Sequence, residues 1–381
     1  MRSIYLDHNA TTPLLPEATE AMRAAEREAF GNPSSAHHAG RAARRALDNA
    51  REQIAALINA APDEITFTSG ATEANNHAVL GRVRVSSHSY RSVLIASPLE
   101  HPCIVEPLRR LESEDHIVQW LPVDSRGIIA NRPVPPDCLL VCVMLANHET
   151  GAIQPVRAIT ETLPSGTALH CDATQAVGKF PVNFRELGAT TLSASAHKFG
   201  GPRGVGILVV KRGTVLPPLF HGGHQQQGRR PGTEPVPQVV GMAAALEHAV
   251  RNMEANHSRL EALRARLWAK LRESASPVVL NGPEIGADDV IPTTLNVSFP
   301  GCRADLLLPA LDLAGVACST GSACSSGSLL PSPVLRAMGV SEDVLRSSLR
   351  FSFAASLDPT EIDDAATRIA TVVAAARKRP V

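Results

Sequence analysis

Ser195-Ala196-His197-Lys198-Phe199-Gly200-Gly201-Pro202 is the stretch that decides how this chain is read. An apolar run, Thr191 to Ala194, leads into it, and Val205-Gly206-Ile207-Leu208-Val209-Val210 leads out. Both flanks read as buried strands. A lysine between two such strands cannot easily reach bulk water. Burial disfavours its charged form and leaves a nucleophilic amine, which Schiff-base chemistry needs. A lone lysine in a Gly-rich turn reads instead as a surface residue, so the choice rests on what else the chain supplies.

At 381 residues the chain exceeds one ordinary core, and two packed domains are expected. Aromatic residues make up only 3%, so the interior must be built from Leu, Val, Ile and Ala. Lys+Arg and Asp+Glu balance at 37 each, which gives no bulk-charge case for nucleic acid or an anionic membrane as partner. No apolar run is long enough to span a bilayer, and Met1 to His8 lacks the apolar stretch of a signal peptide. Seven scattered cysteines argue against a disulfide framework. The expected setting is soluble, reducing and cytoplasmic.

Apolar strand and helix patterns alternate along the first two thirds. A helix is expected over 37–59, a strand over 64–68, a helix over 71–82, a strand over 92–96 and a helix over 101–113. Leu139 to Leu145 is a continuous apolar run, as in a central parallel strand covered on both faces, and Ala168 to Cys171 is another. This is α/β order with a mostly parallel sheet. From about Pro237, Leu246, Val250, Met253, Leu260, Leu263, Leu267 and Leu271 keep helical spacing through one long bridging segment. Beyond it, 293–299, 303–314 and 348–353 suggest a smaller α+β domain. Asp358, Pro359 and Glu361 mark the start of a last helix. The division places a large domain at 16–250 and a small one at 1–15 plus 251–381.

Two further segments converge on the lysine. Ser69-Gly70-Ala71-Thr72-Glu73-Ala74-Asn75-Asn76 joins a strand to a helix, where free N–H groups and the Thr72 hydroxyl suit an anion. Many other turns carry a Gly and a Thr cap. The strand at 168–171 ends in Asp172-Ala173-Thr174-Gln175, which places an acid at the carboxyl end of a parallel strand. Taken singly, Asp172 reads equally well as a helix N-cap. Together, a phosphate cradle, a strand-end acid and a Ser-x-His-Lys 26 residues beyond the acid fit pyridoxal 5'-phosphate. That cofactor needs an acid on its ring nitrogen.

On these residues the chain resembles the NifS/IscS-type cysteine desulfurases of the class V aminotransferase group. The resemblance also rests on Tyr5-Leu6-Asp7-His8-Asn9-Ala10-Thr11-Thr12-Pro13, Gly31-Asn32-Pro33-Ser34-Ser35 and Gly228-Arg229-Arg230-Pro231-Gly232-Thr233. Gly321-Ser322-Ala323-Cys324 and Arg346-Ser347-Ser348-Leu349-Arg350-Phe351-Ser352 complete it. It implies the fold type I of pyridoxal-phosphate transferases, with a mostly parallel, seven-stranded-type sheet and a smaller α+β domain. It implies that Lys198 carries the cofactor, Asp172 holds the ring nitrogen and Gln175 the ring hydroxyl. Ala71, Thr72, Ser195 and His197 would bind the phosphate, with Thr233 reaching it from the partner of a homodimer. His101 would stack on the ring and move protons. Asn147 and Arg350 would hold the substrate carboxylate, and Asn147 would also contact the cofactor. A planar guanidinium suits a carboxylate.

Cys324 sets the reaction that the resemblance implies. Its surroundings, Cys318-Ser319-Thr320-Gly321-Ser322-Ala323-Cys324-Ser325-Ser326-Gly327-Ser328, are small and Gly-rich, as expected of a thiol that visits a cofactor and then meets an outside acceptor. Cys318, after Ala314-Gly315-Val316-Ala317, suits a structural role. L-cysteine would give L-alanine and a persulfide on Cys324, passed to a sulfur-acceptor protein in iron–sulfur cluster assembly, tRNA thiolation or DNA sulfur modification. A selenocysteine lyase, or another class V lyase or aminotransferase, would need Lys198 but not Cys324. Against the family pattern, His148 follows Asn147 where a second Asn is usual. His224, Gln226, Gln227, Pro333 and Ala354-Ala355 also depart from it. His221-Gly222-Gly223-His224 lacks a second ligand cluster in sequence, so no metal site is expected.

Overall fold

The computed structural model describes residues 3–85, 92–321 and 331–378. The chain opens with β1 (Ile4–Tyr5), α1 (Pro16–Glu28) and α2 (His38–Leu57). Then come β2 (Ile65–Thr68), α3 (Ala71–Val85), β3 (Val93–Ala96), α4 (Pro102–Ser113), β4 (Ile117–Trp120) and β5 (Cys138–Cys142). The single turns α5 (Val156–Thr160) and α6 (Phe184–Leu187) flank β6 (Ala168–Asp172), and β7 (Thr191–Ser195) and β8 (Gly206–Val210) follow. These strands form a seven-stranded sheet in the order β2-β8-β7-β6-β5-β3-β4. The pairs from β7 through to β4 are parallel, while β8 runs antiparallel to both neighbours.

The sheet is covered on both faces, which explains its unbroken apolar runs. On one side α1, α2 and α7 (Val236–Arg251) pack Leu47, Ile54, Val239, Met242 and Leu246 into the largest core. On the other, α3 and α4 bring Val79, Ile104 and Leu108 against Leu94, Leu140 and Cys142. The apolar run at 139–145 outlasts its strand. Val143 and Leu145 still donate to the carbonyls of His170 and Asp172, and so carry the chain under the site.

A second core is built from α8 (Met253–Ser274), β9 (Val279–Leu280), β10 (Thr294–Ser298), α9 (Ala304–Leu313) and β11 (Val316–Ala317), with β12 (Ser348–Ser352) and α12 (Pro359–Arg377). β10 lies antiparallel between β9 and β12. β1 pairs parallel with β11, so Ile4 and Leu6 join this core. The short helices α10 (Pro333–Ala337) and α11 (Glu342–Arg346) lie between β11 and β12 in the chain. They lead Val334, Leu335, Met338 and Leu345 into the first core instead.

The expected single helical segment from 246 to 271 is two helices. Asn252 interrupts it, with its Nδ2 on the carbonyl of His248 at 2.8 Å. An amide that bonds its own backbone competes with helix continuation. The change coincides with a change of core, since Leu246 belongs to the first and Leu260, Leu263, Leu267 and Leu271 to the second. The last helix begins as expected, with a capping box between Asp358 and Glu361.

One edge of the sheet is sealed by side chains. Along β2, Arg51 Nη1 donates to the carbonyl of Ile65 at 2.6 Å and Gln226 Oε1 accepts from Phe67 N at 3.2 Å. Gln226 Nε2 donates in turn to Glu234 Oε1 at 3.0 Å. The opposite edge is β4, where Ile117 and Trp120 are exposed.

Gly206 sets how closely β8 approaches the turn before α3. A Cβ there would lie 2.7 Å from Ala194 O and 2.7 Å from Gly70 Cα, both backbone atoms that cannot swing aside. Gly206→Ala is expected to lose about 1–3 kcal/mol, as overpacking does. A lowered urea midpoint with an unchanged slope would register it, and an unchanged midpoint would refute it.

Candidate functional site

A cavity of about 450 Å³, within the usual range of ligand sites, opens at the carboxyl ends of β6 and β7. Its wall includes Ala71 and Thr72 from the start of α3, Asp172 and Gln175 after β6, and Ser195, His197 and Lys198 after β7. His101 and His148 complete one side. The parallel order of β6 and β7 aims the ends of both strands at the same crevice. Residues 124 positions apart in sequence, Ala71 and Ser195, thereby line one cavity with His197 and the cationic Arg203.

Asp172 also lines the wall and is 5% exposed. Its Oδ2 accepts from Asn75 Nδ2 at 2.8 Å, and its Oδ1 from Thr174 N at 2.9 Å and Ser193 Oγ at 3.3 Å. The Thr174 bond closes a turn rather than capping a helix, since no helix begins until Phe184, so the helix-cap reading of this acid does not hold. Asn75 is itself oriented by His170, whose Nε2 lies 2.9 Å from Asn75 Oδ1 and whose Nδ1 meets Thr191 Oγ1 at 2.8 Å. Asn75 and His170 lie within quoted stretches, but neither is assigned a role from sequence.

Lys198 is half-buried rather than sealed between its strands, because the one turn after β7 brings it to the cavity wall. Its Nζ donates to the carbonyls of Asn9 at 2.7 Å and Ala10 at 3.0 Å. Gln175 is held by the same carbonyl, with its Nε2 3.1 Å from Asn9 O. His197 touches Thr11 Oγ1 at 3.2 Å. Burial, then the charges of Lys198, Arg203 and Lys179, push its pKa down to about 4, so the ring is neutral at physiological pH.

His101 caps α4: its Nδ1 accepts from Cys103 N at 3.2 Å. The ordinary reading of a helix-start histidine is therefore correct as far as it goes, and the ring lines the cavity as well. His148, which breaks the family pattern, meets His101 edge to face with centroids 5.7 Å apart. Burial, followed by His101, Arg350 and Lys198, holds its pKa well below the usual range. Its Nδ1 and the Thr174 hydroxyl are buried without a hydrogen-bond partner.

Two of the expected substrate-binding residues are not among the wall residues. Asn147 does not line the cavity. It is fully buried, its Nδ2 donates to Leu99 O at 3.3 Å, and its Oδ1 accepts from Glu149 N and Thr150 N, both at 2.9 Å. Its amide is spent on holding the 147–150 turn, and it is the neighbouring His148 that reaches the wall. Arg350 is 2% exposed and absent from the wall, paired with Asp7 at 2.8 Å and donating to His148 O at 3.2 Å. Its Nε has no partner.

Thr233 is exposed and does not line its own chain's cavity. Its loop is tied to the site by Arg230, which pairs with Glu73 at 2.9 Å. Cys324 lies outside the described residues. Cys318 packs against the second core, and burial, then Asp7, pushes its thiol up to about 12, which suits the structural role. Among the described residues no group of three or more His, Cys, Asp or Glu could hold a metal. No described helix is long and apolar enough to cross a membrane.

These features suit pyridoxal 5'-phosphate. The wall offers the N–H groups and hydroxyl at the start of α3 and the cation Arg203 to a phosphate, a buried carboxylate to a ring nitrogen, and the amine of Lys198. The unpartnered Thr174 hydroxyl and His148 nitrogen belong to residues of the wall.

The fold and site define a class V aminotransferase, and the family model for aminotransferase class V matches residues 4–364. The chain is 43% identical to the cysteine desulfurase IscS of Dictyoglomus turgidum, over 92% of this chain and 89% of that one. It is 41% identical to the IscS-like cysteine desulfurase of Mycobacterium tuberculosis, over 98% and 97%. Among solved structures, a NifS-like protein superposes with a TM-score of 0.91 at 34% identity, covering 98% of this chain and 99% of that one. SspA in complex with cysteine gives 0.80 at 32%, covering 92% and 99%. The chain belongs to the class V aminotransferase family and, within it, to the pyridoxal-phosphate-dependent cysteine desulfurases.

Glu149 was not singled out from sequence, although it stands beside the site. It is 1% exposed, and its Oε2 accepts from Ser332 Oγ at 2.6 Å. A Cβ at Gly321 would fall 2.4 Å from that same oxygen. His148 Nε2 lies 3.6 Å from Oε1. Burial raises the Glu149 pKa from 4.5 to about 7, against the lowering effects of Ser332 and Arg350. Between those values the folded protein holds a proton that the unfolded chain releases. The associated stability is complete below about 4.5 and is lost as pH rises through 7. Glu149→Gln should therefore gain on wild type between pH 5 and 8, by roughly 3 kcal/mol at most. Denaturant midpoints across that range check this, and a constant difference would refute it.

Proposed function

We propose that this chain converts L-cysteine to L-alanine, leaving the sulfur as a persulfide on Cys324 for transfer to an acceptor protein. The observation that carries the reading is that one cavity wall gathers the start of α3, the buried acid Asp172 and the amine of Lys198. Ala71, Thr72, Ser195 and His197 are assigned to the phosphate, Asp172 to the ring nitrogen and Gln175 to the ring hydroxyl. Pyridoxal 5'-phosphate, when bound, supplies an electron-withdrawing ring that stabilises negative charge at the substrate Cα.

Lys198 Nζ is assigned two tasks: holding the cofactor, and then taking and returning the proton of the substrate Cα. Arg350 is assigned to the substrate carboxylate, which its unpartnered Nε supports. His101, fixed through Nδ1 by Cys103 N, is placed to move a proton to or from the substrate. The Cys324 thiolate forms a bond to the substrate sulfur as the carbon–sulfur bond breaks, and the electron pair stays with the carbon skeleton. Cysteine and one thiol thus give alanine and one persulfide, with no outside oxidant.

We infer a homodimer in which Thr233 serves the partner's phosphate site. Its exposure and the Arg230–Glu73 tether of its loop support that reading. The large domain is placed at 16–250 and the small one at 1–15 plus 251–381, which the two main cores support apart from Ile291 and the α10–α11 residues Val334, Leu335, Met338 and Leu345, which pack into the first core. A sulfur-acceptor protein and a cytoplasmic setting complete the proposal. The relatives named IscS support iron–sulfur cluster assembly as the destination of the sulfur.

The test is release of alanine and sulfide from L-cysteine with a reductant. Wild type is expected to give equal amounts. Lys198→Ala and Cys324→Ala should each lower the rate on the order of 1,000-fold or more. Cys324→Ala should keep the yellow cofactor and carry no persulfide by mass. Activity on cysteine that survives Cys324→Ala would move the assignment to a lyase.

A further inference from the structure

Two backbone carbonyls fix two side-chain amides beside the cavity. Asn9 O accepts from Gln175 Nε2 at 3.1 Å, and His148 O accepts from Asn9 Nδ2 at 3.1 Å. A carbonyl can only accept, so each must face an amide nitrogen. Both amide oxygens are thereby committed, and both meet one side chain. Lys179 Nζ donates to Asn9 Oδ1 at 3.0 Å and to Gln175 Oε1 in a shorter contact. Turning either amide over would set N–H groups against Lys179 and leave oxygen facing oxygen.

Gln175 has one Nε2 hydrogen left, and its residue lines the cavity wall. We propose that Lys179 is a positioning residue that locks Gln175 so that it offers the cofactor a donor, never an acceptor. This rests on the assignment of Gln175 to the ring oxygen. It deepens that assignment by fixing the chemistry of the partner, an oxygen that accepts, as an anionic phenolate does. Glutamate at 175 would present only acceptors there. Burial, then Lys198 and Arg350, holds the Lys179 pKa well below that of a free lysine. The geometry asks only that it donate twice, which the charged and neutral amines both do.

The experiment compares Lys179→Met in the wild-type and Gln175→Ala backgrounds. Protein stripped of cofactor is titrated with pyridoxal 5'-phosphate and followed by the yellow absorbance, whose band position is recorded against pH. Lys179→Met is expected to weaken binding about 10-fold, as loss of a charge-assisted hydrogen bond does, and to shift the band. In the Gln175→Ala background the same change should alter binding less than about 2-fold. Equal losses in both backgrounds, or none in either, overturn the proposal. Lys179→Gln, which keeps one donor, should fall between the two and carries the same comparison if Lys179→Met does not fold. Wild type that takes up no cofactor would sink the cofactor assignments themselves. Uptake by wild type with no coupling between 179 and 175 would sink this inference alone.

Discussion

Asn9 holds the site together. It is 1% exposed, and its backbone carbonyl receives Lys198 and Gln175 while its amide reaches Lys179, His148 O and Thr294 Oγ1. Its own N–H donates to Ser352 Oγ. One residue thus binds the ends of β6 and β7 to β10 and β12 of the second core. Each buried bond is modest in net terms, but an orphaned buried partner costs about 1–3 kcal/mol. Replacing Asn9 would orphan several groups at once. The segment that bears it is anchored further back, where β1 enters the second core and Tyr5 Oη donates to the carbonyls of Asp7 and Thr11.

Around this hub the charge is lopsided. Lys179, Lys198 and Arg350 lie close enough to depress their neighbours. Burial and Lys179 bring His8 down to about 4, and burial with nearby cations does the same to His197. Asp172 and Asp7 are the acids that bond directly to the groups of the site, while burial and Asp172 push the Glu100 pKa well above the ordinary range. A pocket with Lys198 and Arg203 on its wall, Arg350 nearby and a neutral His197 has cations to offer to anions. A phosphate and a substrate carboxylate are the two such groups that the assigned reaction brings.

The alternation of strands and helices, the start of the last helix and the motif loops were legible because each rests on short-range chemistry: apolar runs, caps and Gly-rich turns. Lys198, Asp172 and the start of α3 could be placed together since parallel strands end on one side of a sheet. What escaped reading depends on distant contacts. Nothing local distinguishes Asn147, whose amide closes its own turn, from an asparagine that points into a cavity. The break at Asn252 keeps helical spacing on both sides, so periodicity alone runs through it. Lys179 follows Gln175 by four residues, a spacing visible in sequence, but its importance comes from Asn9, 170 positions earlier.

The sealed edge at β2 has a consequence for how copies of this chain can meet. Arg51 and Gln226 occupy backbone groups that an added strand would need, so a second polypeptide cannot extend the sheet there by β-augmentation. Gln226 does this from a left-handed backbone conformation at φ 50°, a strain that the sealed bonds must hold in place. The far edge, β4, is only four residues long, which limits any continuous ladder built on it. Association through side-chain surfaces and loops rather than strand pairing is what this sheet permits, as the proposed reach of Thr233 into a partner's site requires.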